Sequence, residues 1–441
     1  MKTDTLLRDE MRGSIQFFLD YTNRHQESPG FGLTADSTRR PARASIAASG
    51  FALTAWVIAA ERGMVEPAEA RRIIRGTLDT LLHRAGHHRG FFAHFLHIGS
   101  AGRFGKSEYS TIDTALCLNG VITAAAYFHQ DGAIAELAGG LLERVDWGWI
   151  AFEHDGQALF HMAYNPDPDG DYVTGQPGFI GQWDMAAEQK MMYLQAAPRL
   201  EADLARRLYR GFRRDIGYHQ GRPVVINPGG TLFAYLFSEA WLDTARFLDP
   251  EGVDWFENTR RAAQAHRAFC IENAPRFQTY HARSWGLSAG DSPHGYDVFG
   301  APPCLGRPHH DGTVSLYAAI ACLPFLPDEV PEMMAYLYRH QPRTWGRYGF
   351  FDAYNLDVSP PWYSQAVYAI DKGCSMIMIE NYLSGLVWDL YTNSHYIRQA
   401  LKVLGFSERA GRNRPEQSLG PVSPDRRTDT PKGASLEPDR S

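Results

Sequence analysis

Asp184 and Glu188 lie one helical turn apart in the stretch WDMAAEQKMMYLQAAP (183–198), just ahead of the apolar residues Met191, Met192, Tyr193 and Leu194. A carboxyl at the entrance to a buried run has two readings. Either it lies on a solvated stripe beside a basic neighbour, or it lines a pocket whose chemistry needs an acid. Single carboxylates recur beside aromatics elsewhere: Glu108 and Asp113 in SEYSTIDTA, Asp291 in GDSPHGY, Asp352 in GFFDAYN and Asp371 in AIDKG. Carboxyls among Trp and Tyr suit a sugar site, where aromatic faces stack on rings, acids bind hydroxyls and two carboxyls flank the bond to be cut. Trp183, Trp285, Tyr296 and Trp362 are the loop aromatics best placed for stacking.

Simpler roles compete at several of these positions. Asp113 follows Ser110 and Thr111 at a helix start, where a carboxylate suits the positive end of the dipole. Asp371 before Lys-Gly could cap a helix beginning at Gly373 or Cys374. Asp291 lies in a glycine-rich turn where Asp is locally favoured. Glu380 and Asn381, set among Met, Ile and Tyr, read as buried hydrogen-bonding groups. No phosphate loop, nucleophile elbow or zinc helix is present. The histidine pairs in HRAGHHRG and RPHHDG lack a patterned carboxylate partner. They read as polar rim residues, with no metal and no cofactor expected.

The elements that must position these acids are helical. LLRDEMRGSIQFFLDYTNRH has amphipathic spacing, SIAASGFALTAWVIAAERG is apolar throughout, and EPAEARRIIRGTLDTLLHRA is its more polar successor. The alternation of buried and amphipathic segments continues to HYIRQALKVLGF, giving about twelve helices in inner–outer pairs. Strand signal is confined to short stretches such as VVINP. Long loops span 85–109, 155–182, 281–312 and 343–372, and loops of this length in a compact domain are usually functional. Paired helices with elaborated loops at one end predict an all-α fold, an (α/α)6 barrel forming a single catalytic domain over 1–406. After Phe406 the composition turns to Pro, Ser, Arg, Asp and Gly, predicting a disordered tail over 407–441.

Composition narrows the function classes. The 441 residues are 44% apolar and 21% charged, with a net charge of −6. That mild acidity argues against a nucleic-acid partner. No apolar run is long enough to span a membrane. The amino-terminal residues lack the layout of a secretory signal, and five dispersed cysteines show neither disulfide nor metal spacing. These features predict a cytoplasmic protein.

The stretches GFFAHFL, SEYSTIDTALCLNGVITAAAYF, WGLSAGDSPHGY, WGRYGFFDAYNL and AIDKGCSMIMIENYLSGLVWDL occur in order between Gly30 and Phe406. Together they resemble the glycoamylase-like family that includes the bacterial endo-β-1,2-glucanases (glycoside hydrolase family 144). The resemblance implies an (α/α)6 barrel, a glucan or oligosaccharide substrate, and anomer-inverting hydrolysis of a β-linked glucan without a cofactor. Glu188 falls where the family carries its general acid, and Asp371 where the base role is assigned. Glu108, Asp113, Asp291 and Asp352 would hold substrate hydroxyls. The sequence departs from the family pattern at Ala187, Glu239 and Lys372. A Lys372 ammonium turned inward would hold Asp371 ionised. Transglycosylation, cleavage of another linkage on the same barrel, and non-catalytic carbohydrate binding stand as alternatives.

Overall fold

The computed structural model describes residues 3–409 and is mostly helical. In chain order the helices are α1 (Thr3–Tyr21), α2 (Ile46–Glu61), α3 (Pro67–His83), α4 (Thr111–Tyr127), α5 (Gly132–Arg144), α6 (Lys190–Ala196) and α7 (Ala202–Gly211). They continue as α8 (Phe233–Trp241), α9 (Trp255–Asn273), α10 (Leu316–Ala321), α11 (Glu329–His340), α12 (Ala369–Leu383), α13 (Leu386–Thr392) and α14 (His395–Leu404). Local chemistry sets many of the ends. Ser45, Ser110, Asp131, Asp254 and Ser394 accept backbone N–H bonds as N-caps. Gly385, at φ 74°, divides the expected last inner helix into α12 and α13.

α2 buries every residue from Ile46 to Ala60, and α4, α6, α8, α10 and α12 are buried over most of their lengths. Their successors are amphipathic. α3, for instance, buries Ala70, Ile73, Ile74, Thr77, Leu78 and Leu81 along one face. α2 lies between α4 and α12, and α12 also packs on α8 and α10. Glycines permit the closest of these contacts. A Cβ on Gly120 of α4 would stand 2.0 Å from the Gly50 carbonyl oxygen of α2, and one on Gly373 of α12 would stand 2.3 Å from the Phe51 ring.

The long loops contain more strand than the sequence signalled. Gln157–Asn165 pairs antiparallel with Ala151–His154, Gly178–Gln182 and Tyr109–Ser110. Ala353–Asn355 is flanked by Val314–Ser315 and Trp362–Tyr363, and Ala289–Ser292 pairs with Gly295–Val298. Most of these strands are two to four residues long, too short to show a period. The expected tail boundary falls early. Ser407 and Glu408 pair with Leu248 and Phe247, and Glu408 and Arg409 form ion pairs with Arg246 and Asp254. The remainder of that expected tail, 410–441, lies outside the described residues. Among the described residues no helix is long and apolar enough to cross a membrane.

Candidate active site

Glu188 lies in the turn just before α6, not inside a helix as its sequence context suggested. The neighbouring Gln189 builds that turn, accepting from the Ala187 N–H at 2.9 Å and donating to the Met185 carbonyl at 2.5 Å. The Ser238 hydroxyl of α8 donates to the Glu188 carbonyl. Burial first, and then the charge of Asp113, pushes the half-buried Glu188 carboxyl up to about 7. Behind it Lys190 stands 3.8 Å from the buried Glu239 carboxyl and 4.5 Å over the Trp255 ring.

Asp113 occupies the first turn of α4, where Ser110 caps its N–H and donates to its carboxyl at 2.6 Å. His94 joins Asp113 to Glu108: its Nδ1 is 2.8 Å from Glu108 and its Nε2 is 3.8 Å from Asp113. Burial opposes charge on this imidazole, but Asp113, Glu108 and Asp36 together raise it to about 9.

Asp371 sits in the first turn of α12, which begins at Ala369 instead of Gly373 or Cys374. Its side chain therefore caps nothing. The preceding segment is tied to the loop after α1: Ala369 N–H donates to the Asp36 carbonyl at 2.9 Å and Thr38 N–H to the Val367 carbonyl at 3.0 Å. Asp36 consequently acts on both Asp371 and Asp113. Through Asp113 and Asp36, the Glu188 and Asp371 ends of the cluster are electrostatically connected.

The Asp371 carboxyl is 1% exposed and lies against Asp352 and the Tyr317 hydroxyl. Burial, followed by the Asp352 charge, pushes it well above the ordinary carboxylate range. The expected assistance from Lys372 does not arise. Its ammonium turns to Glu10 at 2.7 Å and to the Phe350 carbonyl at 2.6 Å.

Several expected sugar ligands have other places. Trp285 is 0% exposed and belongs to the core. Trp183 is also buried, its Nε1 donating to Thr111. Asp291 is fully buried and holds both Arg39 guanidinium nitrogens, at 2.8 and 2.7 Å, while accepting from Ser364. Both of its oxygens are thus engaged within the protein. Asp352 is buried too, taking the Asp291 N–H at 2.6 Å. Trp362 is half-buried on the edge of its ribbon, paired across it with Asn355. Tyr296 remains available: it is 46% exposed and meets Tyr368 edge-on at 5.1 Å. Glu380 and Asn381 are buried structural groups, bound by Arg62 and by the Ala240 carbonyl and Trp388 N–H.

Sequence reasoning missed Asp36, Arg39, His94 and Tyr172. Tyr172 is 76% exposed at φ 63°, a backbone region bulky residues rarely occupy, and the charges of Glu108 and Asp113 reach its hydroxyl. Only its place in the loop NPDPDGDYVTG hinted at function. Among the described residues, no group of three or more His, Cys, Asp or Glu is placed to hold a metal ion.

Similar folds are known. An endo-β-1,2-glucanase from Chitinophaga pinensis, solved with sophorotriose and glucose, aligns with a TM-score of 0.79 at 23% identity, covering 92% of this chain and 99% of that one. A β-1,2-glucanase from Parabacteroides distasonis aligns at 0.78 and 22% identity, covering 92% of this chain and 60% of that one. In sequence, an exo β-1,2-glucooligosaccharide sophorohydrolase from Parabacteroides distasonis is 28% identical over an alignment of 393 residues that covers 80% of this chain. The match covers 52% of that relative, so the chain spans about half its length. Residues 181–395 match the Glycoamylase family model, described as "Putative glucoamylase".

Proposed function

We propose that this chain is an anomer-inverting glycoside hydrolase of β-1,2-linked glucan or its oligosaccharides, built on a closed (α/α)6 barrel that forms one catalytic domain. The observation that carries this reading is the half-buried Glu188, raised to about 7 and electrostatically connected through Asp113 and Asp36 to the buried Asp371. A carboxyl that keeps its proton near neutrality suits a general acid. The names of the sophorohydrolase and the glucanases described above direct the choice of linkage.

Glu188 gives its proton to the leaving glycosidic oxygen, while water on the opposite ring face is deprotonated at Asp371 and bonds to the anomeric carbon. Glu108 and Asp113, bridged by His94, bind hydroxyls, and Tyr296 offers a ring face. Acid, base and water suffice for this chemistry, so no cofactor is invoked. The compartment proposed is the cytoplasm, where the substrates would be short oligosaccharides. The five described cysteines are free, which suits a reducing compartment.

The test is Glu188→Gln assayed on a panel of glucooligosaccharides, with products identified by linkage, size and anomer. Loss of about a thousandfold in kcat on β-1,2 substrates, with the fold intact, is expected for removal of a general acid. Undiminished turnover overturns the acid assignment, and hydrolysis of another linkage alone overturns the substrate.

A further inference from the structure

We propose that the base of this reaction is not Asp371 alone but the Asp352–Asp371 pair, which holds one proton between its two carboxyls and passes it from Asp371 to Asp352 as water is deprotonated. The inference rests on the hydrolase reading above.

The charges around the pair are already matched elsewhere. Asp36 is matched by Arg43 at 2.5 Å, Asp291 by Arg39 at 2.7 Å and Glu10 by Lys372 at 2.7 Å. Each nearby cation is thus already in contact with another acid, and Asp352 and Asp371 share none of their own. Both are buried, at 4% and 1% exposure, side by side. Neither Asp371 oxygen has a geometric donor, and the Tyr317 hydroxyl beside it gives its proton to the Ala289 carbonyl at 2.7 Å. Two ionised carboxylates only accept, so they have no bond to offer one another. With one proton, one becomes the other's donor.

The surroundings decide which carboxyl carries the charge. Asp352 receives the Asp291 N–H at 2.6 Å, and the Lys372 charge reaches it from the side. The other titratable neighbours are Asp36, Tyr296, Tyr317, Tyr368 and Cys374. The tyrosines and the thiol keep their protons at neutral pH, and burial raises Tyr317 and Cys374 further. The resting pair is therefore an ionised Asp352 beside a protonated Asp371. A small cavity lined by Asp352, Tyr317, Tyr368, Lys372 and Glu10 adjoins them.

The step balances. The water oxygen bonds to the anomeric carbon as the bond to the leaving oxygen breaks, and Glu188 protonates that oxygen. The water proton goes to Asp371 while the proton of Asp371 goes to Asp352. The pair thereby passes from one negative charge to none. Loss of one proton to solvent resets it, and Glu188 regains its own.

The experiment compares Glu188→Gln with Glu188→Gln/Asp352→Asn by carboxyl infrared spectroscopy at pH 7, and Asp352→Asn with wild type in turnover. One protonated-carboxyl band present in the first protein and lost in the double variant is expected. In turnover, kcat should fall at least a hundredfold, and the acidic limb of the kcat/KM profile should move down by about one pH unit. Oligosaccharide affinity, measured calorimetrically in the Glu188→Gln background, should be unchanged within about threefold. No band difference at pH 7, or an unmoved limb with full kcat, overturns the pair. Should Asp352→Asn fail to fold, Asp371→Asn serves the same spectral subtraction. If the wild type cleaves no glucooligosaccharide, the hydrolase reading fails, while the infrared comparison still reads the shared proton.

Discussion

Nδ1 of His94 stands 2.8 Å from Oε1 of Glu108, so one imidazole holds an acid of the 107–115 segment while its other nitrogen faces Asp113 at the start of α4. The ring's folded value of about 9 lies above its ordinary 6.5. Its contribution to stability is therefore complete below about pH 6.5 and disappears as pH rises through about 9. His94→Gln should destabilise the protein at pH 6 by on the order of 1–3 kcal/mol. Thermal melts should show that deficit shrinking above pH 9. Equal deficits at pH 6 and pH 10 would count against the paired imidazolium.

A general acid works only while protonated. With Glu188 raised to about 7, kcat/KM should fall tenfold per pH unit above that value. A profile on β-1,2-glucotriose, taken with buffers that keep the enzyme folded, tests this. Rates flat to pH 9 would remove Glu188 from the proton-donating role.

The aromatics separate into two classes. Tyr296→Ala should raise KM by about fivefold, since a lost ring contact is worth on the order of 1 kcal/mol. Trp285→Ala should cost about 3–5 kcal/mol of stability through its cavity, with KM of the folded fraction unaltered. Paired urea titrations and kinetics distinguish them, and the opposite pattern would reverse the assignments.

Arg62, at the C-terminal end of α2, is bound bidentately by the fully buried Glu380 of α12 at 2.9 and 2.6 Å. Arg62→Met leaves that carboxylate uncompensated and should cost about 3–5 kcal/mol, with specific activity of the folded enzyme retained. A fall below 1 kcal/mol in denaturant titration would mean the pair is solvated in solution.

The helices could be read from the sequence because their caps and apolar periodicity are local, as at Ser45 before α2 and Ser110 before α4. The acids beside aromatics were legible too, since carboxyls near buried runs need a reason. What each acid touches was not. Arg39 and Asp291 are 252 residues apart, and no spacing rule joins them. Trp285 and Tyr296 look alike in a glycine-rich loop, yet one is sealed and the other open. The two- to four-residue ribbons lie below any readable period. Glu188 stood out in the sequence, but its turn depends on the Gln189 side chain closing on Met185 and Ala187, which a helix-like pattern conceals.

Beneath the acids, α4 meets α2 at Gly120 and Gly50, and α12 meets the Phe51 ring of α2 at Gly373. Because α4 presents Asp113 and α12 presents Asp371, the spacing of the two acids is set remotely, by bare backbone that meets backbone between α4 and α2 and a phenyl ring between α12 and α2. A single methyl at Gly120 would act as a shim, prising the rails apart and shifting Asp113 relative to Asp371 without altering either acid.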